Sequence, residues 1–224
     1  MPPDFLYLER RISQIGNKLV SCQRDCAGIS RDQAKGILPR CLILEAENRN
    51  TSSGLAIIGI NPAHSNCHER MSYKDGHDYQ QVVDYWKNHV AHQWKYYEPL
   101  REFEGLLGFG GPILWSELVK CESVPDLKVL PPEQTFRTCI KKYLAKELRG
   151  VPSDWPILAV GKKAYHRLPC YFPERTVIGV PHPARGHLKR FIKSKRYWLP
   201  KVQEYLSDKD GSKGKKPIWL RDLS

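Results

Sequence analysis

The chain has 224 residues, and 36 Lys and Arg against 24 Asp and Glu give a formal net charge of +12. That length fits one domain with a hydrophobic core of its own. No run of about 18 apolar residues occurs, which excludes a transmembrane helix, and the N-terminus lacks a basic-then-apolar signal pattern, so an intracellular protein is expected.

The basic charge suits a polyanionic partner such as nucleic acid, or merely a solvated basic surface. An anionic membrane surface fits less well, because no long amphipathic basic helix stands apart from the core pattern. The seven cysteines read as reduced thiols for metal binding or packing, since intracellular thiols seldom form a disulfide framework.

In chain order, Phe5, Leu8, Ile12, Ile15 and Leu19 recur at helical spacing and predict a helix over residues 4–20. Cys22, Cys26 and Cys41 follow in polar sequence. A buried strand is expected over 55–60, where the apolar run Leu55-Ala56-Ile57-Ile58-Gly59-Ile60 stops at Asn61-Pro62. Residues 62–78 read as a long irregular loop, a natural place for function after a strand end. Val82, Val83, Trp86, Val90 and Trp94 predict a helix, and Leu100, Phe103 and Leu107 a shorter one.

Residues 112–120 read as a second strand running into a turn. Pro131-Pro132-Glu133 opens a helix with Phe136, Ile140, Tyr143, Leu144 and Leu148 on its apolar face. A third strand at 156–160 turns at Gly161 into a helix over 162–168. The fourth, at 176–180, ends in Pro181-His182-Pro183, and a last helix carries Tyr197, Leu199, Val202 and Leu206. Residues 207–224 read as a flexible basic tail. Strands separated by helices imply parallel pairing through right-handed crossovers. The expected fold is therefore α/β, a three-layer α/β/α sandwich around a central, mostly parallel four-stranded sheet, formed by residues 1–206 as a single domain.

Two of these strands deliver a polar side chain at their carboxyl ends, Asn61 and His182, where an open α/β sheet places its ligand. Cleaving an N-glycosidic bond leaves an electron-poor sugar and an anionic base. An asparagine amide can orient the attacking water, and a histidine can donate to a base carbonyl, without the paired carboxylates of ordinary glycosidases. The local alternatives are an asparagine that caps a turn and a histidine satisfied by nearby backbone.

Gly59-Ile60-Asn61-Pro62 resembles the first motif of the uracil-DNA glycosylase superfamily, in the form of its mismatch-specific branch. His182-Pro183-Ala184 resembles the second motif as it occurs in the iron–sulfur branch, family 4. Leu118-Val119-Lys120-Cys121 and Val160-Gly161-Lys162-Lys163-Ala164 are similar to segments of that branch, in the same order. The likeness spans residues 18–206. It implies a monofunctional DNA glycosylase of base excision repair, a monomeric hydrolase acting on uracil or another damaged or deaminated base in single- or double-stranded DNA. Such an enzyme flips its base into a pocket and stacks it on an aromatic.

The resemblance makes Asn61 and His182 catalytic and builds the base pocket from Gly59, Ile60, Tyr73 and Glu117. Tyr73 is the stacking candidate, with Trp115 and Trp94 as competitors. Arg185, His187, Lys189 and Arg190 are candidate DNA phosphate contacts, or else a solvated face. The four cysteines that match the branch are Cys22, Cys26, Cys121 and Cys139, which implies a 4Fe–4S cluster. Three residues separate Cys22 from Cys26 where the branch has two. Cys41 is an alternative member, zinc suits four thiolates as well, and packing without metal is the plain alternative. Cys67 and Cys170 have no assigned partner, and His64, Cys67, His68 and His77 read as loop residues.

Glu117 stands where the iron–sulfur branch has an asparagine that reads the uracil edge. Three readings are open: a neutral Glu117 that donates, a carboxylate that accepts from the amino group of cytosine or adenine, or a side chain outside the pocket with Ser116 in its place. Two other functions remain on the same fold: a nucleic-acid-binding module that does not cleave, and an enzyme acting on free nucleosides or nucleotides.

Overall fold

A computed structural model describes residues 4–74, 78–91, 95–125, 130–207 and 216–223. Asp4 opens α1 (Phe5–Val20) by accepting from the Leu6 amide, and its stripe of Leu8, Ile12, Ile15 and Leu19 is buried. β1 (Ile29–Ser30), β2 (Leu42–Glu45) and β3 (Leu55–Gly59) follow. The stretch expected to be irregular contains a helix, α2 (Cys67–Tyr73). Asn66 starts it by accepting from the Glu69 amide at 2.8 Å, a polar cap that apolar periodicity does not reveal.

A capping box of Asp78 and Gln81 opens α3 (Tyr79–Tyr85), which runs on through a π-helical segment, Trp86–Val90. Then come α4 (Glu98–Leu106), β4 (Ile113–Glu117) and β5 (Glu122–Ser123). The helix opened by the Pro131-Pro132 pair is α5 (Glu133–Cys139), continued by a π-helical segment into α6 (Ala145–Gly150). β6 (Ile157–Val160), α7 (Lys162–Tyr171), β7 (Val177–Val180), α8 (His187–Lys193), α9 (Lys195–Ser207) and β8 (Ile218–Trp219) complete the order.

Among the described residues six strands, not four, form the main sheet, in the order β2-β4-β3-β6-β7-β8. All pairings are parallel except β2 with β4. β1 and β5 make a separate antiparallel pair. Two of the expectations needed correction. The apolar run of β2 is too short to announce a strand, and Glu45 at its end is held by Arg101 and the Trp115 indole. The supposed tail is not all tail: Ile218 and Trp219 pair with Ile178 and Gly179, and Leu220 is fully buried. The rest of the expected tail, at 208–215, lies outside the described residues.

The strand order locates the site. β3 connects to β4 on one side and its other neighbour, β6, connects to β7 on the other, so the crossovers leave these two adjacent strands in opposite directions. A crevice opens at the carboxyl ends of strands so placed. β4 is braced beneath it by a buried ion pair, Lys120 with Glu147 at 2.7 Å, and Ser116 donates to the same carboxylate at 2.6 Å. No helix among the described residues is long and apolar enough to cross a membrane.

Candidate functional site

The carboxyl ends of β3, β4 and β7 line one cavity of about 480 Å³, within the range of small-molecule sites. Ile60, Asn61, Tyr73, Trp115, Ser116, Glu117 and His182 all reach its wall. Gly59 and Glu117 are register partners on β3 and β4, and the ladder continues past them through the Leu118 amide to the Gly59 carbonyl at 3.1 Å. A Cβ at position 59 would collide with the Glu117 carboxyl group, so glycine is what lets that carboxyl lie over the strand end. The reading that placed Glu117 outside the pocket is thereby corrected.

The polarity of Asn61 is fixed by its neighbours. Its Nδ2 donates to the Pro62 carbonyl at 3.2 Å and to the Ser123 hydroxyl at 3.1 Å. A carbonyl only accepts, so the nitrogen must face it, and Oδ1 is the amide atom left to accept from a ligand or water. β5 supplies this clamp. Ser123 holds Asn61, while Glu122 accepts from the Ser65 amide at 2.7 Å and lies 3.3 Å from His64 Nδ1.

His182 is preset in the complementary sense. The Ala184 amide donates to its Nδ1 at 3.0 Å, so the neutral ring carries its proton on Nε2. Desolvation, followed by the neighbouring His187, lowers its pKa below the ordinary histidine value. The ring packs on Tyr96 with centroids 5.5 Å apart. An acceptor from Asn61 and a donor from His182 thus line the same cavity.

Tyr73 is buried in the wall and meets Tyr85 edge-on at 5.6 Å, and Trp115 lines the same cavity. Trp94 and His77 lie outside the described residues. Tyr85, Trp86, Tyr96 and Tyr97 also line the cavity. The sequence reading missed this role for them: Trp86 stood out as a helix residue, and no strand-end motif marks the other three. Arg40 and Cys41 were likewise missed. Arg40 is pinned to Glu69 at 2.8 Å, and Cys41 takes a positive φ of 67°, a conformation uncommon outside glycine.

Burial raises the Glu117 pKa to about 8, against the opposing pull of Lys120 and then Arg40. Burial likewise drives the Cys41 thiol up to about 12.

The candidate phosphate contacts follow His182 directly. The Arg185 backbone lies in the 3₁₀ turn Ala184–Gly186, and His187 opens α8. Arg190 contacts His187 Nδ1 at 2.9 Å and is exposed. Lys189 is already paired with Glu98 at 2.9 Å.

Cys22, Cys26, Cys121 and Cys139 come together elsewhere, around a small second cavity of about 20 Å³. Cys41 sits in the larger cavity instead, which removes it as an alternative member. Among the described residues no group of three or more His, Cys, Asp or Glu is placed to hold a metal ion. The donor set suits a thiolate-bound cluster: four cysteines, no carboxylate in the wall, the Lys120 amide donating to Cys139 Sγ at 3.3 Å, and Lys142 Nζ 3.5 Å from Cys22 Sγ. Burial works to raise the Cys22 thiol, but bonds from Tyr143 and the Arg24 amide and the Lys142 charge together bring it below its ordinary value. Burial, then the other three cysteines led by Cys139, pushes Cys121 up to about 12.

Cys67 and Cys170 are exposed and do not line this second cavity. His68 bonds the Tyr85 hydroxyl at 3.2 Å from α2 and is not gathered with Cys67 and His64 into a metal site. No protein-family model matches the chain, and no curated protein sequence matches it.

Proposed function

We propose that the protein hydrolyses the N-glycosidic bond of a damaged or deaminated base in DNA. The observation that carries this reading is the pairing of a fixed acceptor, Asn61 Oδ1, with a fixed donor, His182 Nε2–H, in one cavity at the switch point of the sheet. As the bond to the sugar weakens, positive charge grows on the sugar and negative charge on the base. Asn61 Oδ1 accepts a hydrogen bond from the attacking water and aims the water's lone pair at the sugar carbon; the proton that the water loses passes to solvent or to the released base. His182 donates from Nε2 to a carbonyl oxygen of the departing base, where the negative charge collects. A neutral imidazole suffices for that bond, and the lowered His182 pKa keeps it neutral.

The aromatic wall of Tyr73, Tyr96, Tyr97 and Trp115 would hold the flipped base by stacking and exclude water. Net positive charge and the basic residues after His182 would hold the backbone, Arg190 ahead of the already paired Lys189. Cys22, Cys26, Cys121 and Cys139 would hold a 4Fe–4S cluster. Bound there, the cluster would act structurally, tying the segment after α1 to β4 and α5. The three-layer arrangement belongs to the same proposal, with the protein acting as a monomer inside the cell.

The test is release of free base from labelled oligonucleotides, single- and double-stranded, bearing uracil, hypoxanthine, xanthine or a G·T mismatch. Release from at least one substrate is expected. No product from any of them at high protein concentration would end this reading.

A further inference from the structure

One fully buried polar atom in the cavity wall has no partner among the described residues. Among the described residues, Glu117 Oε2 is buried without a hydrogen bond. Its carboxyl group lies over Gly59, in the wall shared with Asn61 and His182. A buried oxygen left unpaired in a cavity wall calls for a ligand atom as its partner.

The charged groups around it are engaged elsewhere. Lys120, next along the chain from β4, is turned into Glu147 and Ser116. Arg40, ahead of β2, is held by Glu69. The Cys41 thiol and the Tyr96 and Tyr97 phenols on the neighbouring walls are kept neutral by burial. His182, from the end of β7, is neutral as well. Burial therefore outweighs the pull of Lys120 and Arg40 and pushes the Glu117 pKa up to about 8.

A protonated carboxyl presents one O–H donor beside one C=O acceptor. A lactam, –NH–C(=O)–, is its complement and closes a pair of hydrogen bonds with it. Deamination of a nucleobase replaces an amino group by a carbonyl and creates such an edge. We propose that Glu117 acts as a neutral carboxylic acid that reads the lactam edge of the bound base, donating its O–H to the carbonyl and accepting the ring N–H. The proposal rests on the glycosylase reading for the ligand's being a nucleobase, and it adds the chemical class of that base.

Ionised, Glu117 would offer only acceptors and would face the lactam carbonyl with like polarity. The amidine edge of cytosine can also meet a carboxylic acid, with the proton on the other oxygen. A lactam base, however, brings an additional carbonyl oxygen to share the charge left when the bond breaks, which is the charge His182 is set to meet.

Binding of free uracil to the full chain, followed by quenching of Trp86 and Trp115 in the cavity wall, tests the proposal between about pH 6 and pH 9. In the wild type, Kd should be level at low pH and rise about tenfold per pH unit once Glu117 ionises. Glu117→Gln keeps one donor and one acceptor without a charge, and its Kd should not change with pH. Cytosine should bind more weakly than uracil, and 3-methyluracil, which lacks the ring N–H, about tenfold more weakly or worse. A wild-type affinity that is absent, independent of pH or stronger at high pH overturns the proposal, as does equal binding of cytosine or 3-methyluracil.

A measurement free of any variant is the carbon-13 titration of the Glu117 carboxyl. Uracil should raise its midpoint, because it binds the protonated form, and an unchanged or lowered midpoint overturns the proposal. Uracil bound with the stated pH dependence but no base released from any oligonucleotide would sink the glycosylase reading and leave this one standing. Base release together with pH-independent uracil binding would do the reverse.

Discussion

Asn61 and His182 are each oriented by a bond that admits one assignment, a carbonyl against an amide nitrogen and an amide N–H against a ring nitrogen. Their partners are backbone groups of residues 62 and 184, so the orientation is local. Asn61→Ala and His182→Ala should therefore each lower the base-release rate about 10²–10³-fold, the usual effect of losing one preorganised charge-stabilising group. Thermal unfolding should move little, because Asn61 is half-buried and His182 is exposed at the cavity wall. A large drop in melting temperature alongside the rate loss would mean that these side chains hold the fold instead. That Asn61 and His182 stand at strand ends facing one cavity was legible in the sequence. The Ser123 clamp was not, since 62 residues separate it from Asn61.

At the scale of elements, the closing strand and the cysteine group carry separate predictions. β8 packs Trp219 against the Cβ-less Gly179, with centroids of Trp219 and Tyr165 5.3 Å apart, and buries Leu220. Truncation after residue 207 should lose about 2–4 kcal/mol of stability from that burial, measured by denaturant unfolding. Truncation that leaves the midpoint unchanged would show the edge to be dispensable. For the cysteines, anaerobically purified protein should contain about four iron atoms per chain, and Cys121→Ser with Cys139→Ser should abolish that content and lower the melting temperature. Stoichiometric zinc in place of iron would keep the ligands and replace the cluster. α2 and β2 escaped the sequence reading for different reasons: one is set by a polar cap, the other by pairing with β4, and neither leaves a long apolar period.

Over the whole molecule, +12 of net charge is spread along the chain, so most of it acts as a general field toward a polyanion. DNA affinity should fall linearly with salt on logarithmic axes, with a slope of about −0.9 per phosphate neutralised. Arg190→Ala should weaken binding across all sequences and shallow that slope by about 1, while Lys189→Ala should do less because Glu98 already holds its ammonium. Equal effects from the two, or a slope near zero, would remove α8 from the DNA-facing surface.

The sequence by itself determined which segments are apolar enough to be strands or helices, and which polar residues stand where those strands stop. Asn61 and His182 were visible for that reason: a buried run ending at a polar side chain is a local pattern, whereas Glu117 was singled out by the family resemblance instead. Tertiary structure alone decided which distant pieces meet. It brought Cys22 and Cys26 to Cys121 and Cys139, kept Cys41 apart from them, and added β2 and β8 to the sheet. It also placed the Glu117 carboxyl over Gly59 with no partner of its own. The physical reason is that strand pairing and burial depend on what lies across space, while periodicity records only what lies nearby along the chain.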